Sequence, residues 1–178
     1  DVLGSRGLGD VYKRQVLSMI RKAVPEDMDI VYKLISELEE CEFPESEFKQ
    51  IYDEILNSRQ HCVFLYEKNS KGMGLLHLRL ENQLHHCGRT AEIIELIIEE
   101  SHRSEGIGRS LINAAFKYAV KQNCKIIEVT SNRKRTAAHR FYQKNDMELT
   151  HFKFTTDTDK FSLYNLGFDM PLQYHSNL

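Results

Sequence analysis

Hydrophobic positions change period several times along the chain. Ile30, Val31, Leu34, Ile35 and Leu38 recur three and four apart, which predicts a helix opened by Pro25 and broken by Phe43-Pro44. A second helix follows, with Phe48, Ile51, Ile55 and Leu56 facing inward. Ahead of both, "MIRKAV" (19–24) reads as a short strand. The period then falls to two. "HCVFLYEK" (61–68) and "MGLLHLRLENQL" (73–84) read as strands joined by a hairpin turn at Asn69-Ser70-Lys71-Gly72. "RTAEIIELII" (89–98) is apolar on both faces except for Glu92 and Glu95, as a central strand would be. Past a glycine-bearing turn, Ile107, Leu111, Ala115 and Tyr118 or Ala119 form one helical stripe. "KIIEVTSN" (125–132) predicts a strand, "KRTAAHRFYQKN" (134–145) a helix and "MELTHFKFT" (147–155) a last strand. Hairpins come first and helical crossovers later. The expected class is therefore α/β, a mixed, mostly antiparallel central sheet flanked by helices.

Composition narrows the setting. The 178 residues suit one domain, and 41% of them are hydrophobic. A net charge of −2 provides no global basic field to recruit nucleic acid. Cys41, Cys62, Cys87 and Cys124 are scattered with no CxxC pair, which argues against a zinc ribbon or a disulfide framework and suits reduced thiols in a cytoplasm. No apolar run reaches the length that spans a bilayer. The opening "DVLGSRGLGDVYKRQVLS" has neither methionine nor the apolar centre of a signal peptide. Residues 1–18 are therefore expected to be a non-native leader, 19–155 the folded domain, and 156–178 an extension whose pattern assigns it no role.

"HRSEGIGRSLI" (102–112) carries the first chemistry. It lacks the lysine and spacing of a P-loop, and the GxGxxG of a dinucleotide fold. Gly106 and Gly108 nonetheless let main chain approach an anion, and the helix that begins there offers free N–H groups and a positive dipole end. The segment Arg103, Ser104, Glu105, Gly106, Ile107, Gly108, Arg109 and Ser110 thus suits a pyrophosphate held mainly by backbone. The plain alternative is a strand-to-helix turn with convenient glycines.

An apolar strand, then RxxGxG, a helix, a strand and a helix containing "AHRFY" together resemble the GNAT superfamily of acetyl-CoA-dependent N-acetyltransferases, from Met19 to about Thr155. Four blocks in order, "LHLRLENQLHH", "AEIIELII", "KRTAAHRFY" and "THFKFT", look like one branch of it, the aminoalkylphosphonate N-acetyltransferases. The resemblance implies splayed central strands and acetyl-CoA as co-substrate. Its pyrophosphate would lie on the glycine turn, and its pantetheine arm along Leu96, Ile97 and Ile98. It further implies acetyl transfer to a small amine carrying a phosphonate, with a divalent metal (magnesium, manganese, nickel or cobalt) assisting.

Such a transfer removes a proton from the ammonium, polarises the thioester carbonyl and protonates the departing thiolate. Glu92 and Glu95 are the expected carboxylates, because a charge on an apolar central strand is costly without a partner or a task. Three apart, they face opposite sides of a regular strand, although a bulge would change that. The resemblance favours Glu92 as base or metal ligand, though Ala91 replaces the glycine usual before it; Glu95 is the second candidate. A salt bridge at the sheet surface is the alternative for either. The resemblance makes Tyr142 the general acid, a phenol whose ordinary pKa of about 10 is near that of a thiol; the alternative is a core aromatic. Ile98 N–H would polarise the thioester. A compact phosphonate dianion attracts arginine and histidine, which makes His85, Arg135 and His139 candidates. Two positions depart from the family: Arg135 stands where many members have asparagine, and Asp146-Met147 where they have Gly-Phe. Polyamines, amino acids and aminoglycosides remain alternative acceptors, and a non-catalytic coenzyme A-binding module is a further reading. A homodimer is expected from the resemblance alone.

Overall fold

The computed structural model describes residues 19–158. The expected leader 1–18 and nearly all of the extension 156–178 lie outside them. By its internal contacts the chain divides into a unit up to Glu148 and a second from Leu149 onward.

The first unit contains β1 (Ile20–Lys22), α1 (Met28–Glu39), α2 (Glu45–Asn57), β2 (His61–Lys68), β3 (Lys71–Gln83), β4 (Gly88–Ile98), α3 (Ile107–Lys121), β5 (Ile126–Val129) and α4 (Thr136–Gln143). The five strands form one sheet in the order β1-β2-β3-β4-β5. Pairs from β1 to β4 are antiparallel, while β5 runs parallel to β4 after the α3 crossover. The mixed sheet expected from the hairpin-then-crossover pattern is what forms.

Both faces are covered, and β3 shows why. Its even positions Leu76, Leu78 and Leu80 are fully buried with Ile107, Leu111, Ile112 and Ala115 of α3. Its odd position Leu75 joins Val63, Leu65 and Ile97 beneath Val31 and Leu34 of α1 and Tyr52 of α2. Each such leucine contributes about 2 kcal/mol of transfer free energy. Further along the odd face the apolar residues give way to His77 and Arg79.

Three expectations need correction. Ile51 was expected inward but is 56% exposed; the stripe of α2 runs instead through Tyr52, whose hydroxyl donates to Val24 O at 2.7 Å. Residues 147–155 form no strand. The amide of Met147 closes the end of α4 on Tyr142 O. An alternating pattern makes a strand only where a neighbouring backbone takes its N–H and C=O groups. Finally, Glu92 and Glu95 do not face opposite ways. His77 pairs with Glu95 and Leu78 with Ile93, which leaves Ile94 as an extra residue in β4. This bulge resets the alternation. Glu92 now lies opposite Arg79, Glu95 opposite His77, and all four share the face that packs on α1 and α2.

Candidate active site

β4 outruns its parallel neighbour. Only Thr90–Ile93 pair with β5, so Ile94 to Ile98 have an open edge. Glu99 N donates to Met73 O on β3 at 2.9 Å. Strand alternation then turns the N–H and C=O of Ile98 and Leu96 away from β3, into the opening, and those of Ile97 toward β3. Of the three residues expected to line a pantetheine arm, two offer backbone to it, and Ile97 contributes a buried side chain.

The loop after β4 leads this edge into α3. Gly106, at φ +82°, caps the helix from the left-handed region that glycine enters without strain. The amides of Ile107, Gly108 and Arg109 find no acceptor among the described residues, and the first helical bond is Ser110 N to Gly106 O. A Cβ on Gly108 would stand 3.1 Å from the Phe141 ring and 3.2 Å from Ile98 Cδ1, so bare backbone is what lets α3, α4 and β4 meet here. Three open amides and the dipole of a 15-residue helix make an anion cradle that fits a pyrophosphate. The loop is tied down from α1 and from the start of β3. Lys33 and Lys71 hold Glu99 at 2.8 and 3.0 Å. Those ion pairs, Lys33 first, bring its carboxyl down to about 2. Glu37 accepts from Glu100 N and from Arg103, which also donates to Ile98 O. Arg103 is thus engaged within the protein. Ser104 and Glu105 precede the cap, and Arg109 and Ser110 continue the first turn.

On the α1/α2 face the bulge assembles a row of polar side chains. Arg79 Nη2 meets Glu92 Oε2 at 2.5 Å, and Thr130 Oγ1 lies 3.4 Å from the other Glu92 oxygen. Beside this pair, Glu95 Oε2 is hydrogen-bonded to His77 Nδ1. His77 Nε2 in turn meets Nδ1 of His61 at 2.7 Å. The Glu95 side chain is 30% exposed and lies within the open stretch of β4, whereas Glu92 is 16% exposed and engaged at both oxygens. Burial above all, with His77 and Arg79 as neighbours, pushes His61 below the ordinary histidine range.

The remaining sequence candidates are dispersed. Tyr142 is half-buried in α4 beside Phe141, and no partner is present for its hydroxyl among the described residues. Burial pushes the phenol up, so it keeps its proton beyond the usual tyrosine range. Arg135 donates to Leu38 O at 2.9 Å and meets Glu39, joining α4 to the end of α1. His139 contacts Asn132 O. His85 is exposed at the β3–β4 hairpin, its ring against His86, and is not brought to the glutamates. Three neighbours of the site escaped the sequence reading: His61, Arg79 and, as a partner of Glu95, His77. A signal existed for two of them. "LHLRL" places two polar residues at alternate positions of an otherwise apolar strand, on one face and in one patch.

The donor set does not suit a divalent ion. Glu92 is clamped by a guanidinium, Glu95 is bonded to a ring nitrogen, and among the described residues no three of His, Cys, Asp and Glu converge. Nor is any helix among the described residues long and apolar enough to cross a membrane.

Comparison with known proteins identifies the family. Residues 28–147 match the family described as acetyltransferase (GNAT). The aminoalkylphosphonate N-acetyltransferase of Salmonella typhimurium is 32% identical over 136 residues, 76% of this chain and 88% of that protein. Among solved structures, a protein described as a transcriptional regulator from Bacillus halodurans superposes with a TM-score of 0.73 at 19% identity, covering 78% of this chain and 97% of that one. An aminoglycoside N-acetyltransferase in complex with CoA superposes at 0.70 with 16% identity, covering 78% and 92%. At those identities the structures share the fold. The family match and the extent of the Salmonella likeness go further: this chain belongs to the GNAT family and is an acetyl-CoA-dependent N-acetyltransferase.

Proposed function

We propose that the enzyme acetylates the primary amine of a small aminoalkylphosphonate. The observation that carries this reading is the 32% identity with the Salmonella enzyme of that specificity, sustained over three quarters of the chain. The geometry supports a direct attack. The α3 amides bind the pyrophosphate, and the pantetheine arm follows the open edge of β4 at Leu96 and Ile98. The Ile98 N–H, aimed into the opening, polarises the thioester carbonyl. Glu95 removes the ammonium proton and Tyr142 protonates the leaving thiolate. Of the two glutamates Glu95 is the better base, because Glu92 is already neutralised by Arg79. Glu92 and Arg79 form the neighbouring wall, where the guanidinium is the closest cation for a phosphonate. Arg135 and His139, committed to Leu38 O and Asn132 O, hold α4 in place.

A thiol-release assay with acetyl-CoA tests this over 1-aminoethylphosphonate, 2-aminoethylphosphonate, a polyamine, an amino acid and an aminoglycoside, with and without added magnesium or manganese. The expected outcome is turnover concentrated on the phosphonates. Comparable turnover on a cationic amine would retire the phosphonate while leaving the acetyl transfer.

A further inference from the structure

His77 is 5% exposed in the middle of a leucine-rich strand, among the few buried polar residues of the described chain. Burying an imidazole there is costly unless both nitrogens are satisfied. Both are: Nδ1 faces Glu95 Oε2, and Nε2 faces Nδ1 of His61. The three side chains come from adjacent strands, β2, β3 and β4. They line up because the Ile94 bulge turns Glu95 onto the same face as His77.

An ionised carboxylate only accepts hydrogen bonds, so Glu95 requires the proton of a neutral His77 to sit on Nδ1. His77 Nε2 is then an acceptor, and His61 must supply the proton from its own Nδ1. The order of donors along the row is thus dictated by Glu95. Burial favours the neutral form of His61, which preserves that order.

We propose that His77, itself oriented by His61, is a positioning residue for acetyl transfer, locking the Glu95 carboxylate with Oε2 occupied and Oε1 presented to the acceptor amine. This rests on the reading of Glu95 as base. In the step it serves, an ammonium N–H bond breaks as an O–H bond forms at Oε1. The freed nitrogen lone pair then attacks the thioester carbonyl. Glu92, by contrast, has both oxygens engaged, one by Arg79 and the other by Thr130.

Two measurements on the full chain test it. The first is 15N NMR of histidine-labelled protein, which reads the tautomer without needing activity. His77 is expected as the Nδ1–H tautomer, with an Nδ1 proton whose shift changes in Glu95→Gln. His77 found as the Nε2–H tautomer would overturn the proposal. The second is steady-state kinetics with 2-aminoethylphosphonate. His77→Leu should lower kcat roughly 10–100-fold, the cost of a misplaced reacting group, with the KM for acetyl-CoA unchanged. His77→Gln, which can still donate to the carboxylate, should recover much of the loss. Unaltered kcat in His77→Leu, or a loss that His77→Gln does not relieve, would overturn it. Glu95→Gln separates the two claims. If it retains full kcat, the base assignment itself fails. If it abolishes turnover while His77→Leu does not, the positioning role alone fails.

Discussion

Where the cofactor is proposed to lie, the protein presents main chain: the unpaired edge of β4 from Ile94 to Ile98 and the open amides of Ile107, Gly108 and Arg109. Where the amine is proposed to arrive, it presents side chains: Glu95 on His77 and His61, and Glu92 on Arg79. The first half depends on local conformation. Gly106 must reach the left-handed region, and Gly108 must leave room for Phe141. The second half depends on register, because one extra residue in β4 decides which glutamate faces which partner. A backbone site tolerates exchange of nearly every side chain around it except its glycines. A side-chain site can lose its geometry by a one-residue slip while its sequence is unchanged.

That contrast sets the expected responses of the enzyme. The largest effect should come from Tyr142→Phe, which removes the proposed acid but keeps the ring against Phe141. A fall in kcat of about 100-fold or more, with little change in the KM for acetyl-CoA, is expected from steady-state assays. Because burial raises the phenol's pKa, the alkaline limb that belongs to it should lie above the ordinary tyrosine value of about 10. Unchanged kcat would reduce Tyr142 to a core aromatic.

Gly108→Val should do the reverse. Its branched side chain would meet Phe141 and Ile98, whose atoms already lie 3.1–3.2 Å from an added Cβ. The KM for acetyl-CoA should rise about tenfold or more, the scale expected when a positioning contact shifts, and the KM for the amine should move less. Gly106→Ala is milder. Nothing lies within 4 Å of its added Cβ, so the cost is the left-handed backbone alone, about 1 kcal/mol, read as a lower midpoint in urea.

The smallest effect concerns pH. Glu99, held down by Lys33 and Lys71, titrates near 2 rather than 4.5. Its stabilising contribution is fully present above its unfolded pKa and is lost as pH falls through the window from 4.5 to 2. Glu99→Gln should flatten the loss of stability with acid in that range, and a denaturation series at several pH values checks it.

The same contrast explains what could be read from the sequence. Both layers of helix, the 61–84 hairpin and the glycine turn are written in short-range periodicity and in residue types with strong local preferences, and they form as expected. The bulge at Ile94 has no such signature: isoleucine precedes isoleucine, and only packing against β3 chooses the register. Hence Glu92 and Glu95 were visible as misplaced charges on an apolar strand, but their common face and their partners were not. The clue to His77 is the polar pair in "LHLRL", two polar residues at alternate positions of an otherwise apolar strand. The pattern at 147–155 failed for the opposite reason. It alternates well, but Met147 is used in closing α4 and the residues that follow adopt no strand.

The most direct test of the acceptor half is kcat for Glu95→Gln and Glu92→Gln, measured side by side with 2-aminoethylphosphonate at saturating acetyl-CoA. The account predicts a loss of about 100-fold or more for Glu95→Gln, the range of a missing general base. It predicts for Glu92→Gln mainly a raised KM for the amine, through the released Arg79. The opposite ranking, with kcat collapsing in Glu92→Gln and persisting in Glu95→Gln, would contradict it.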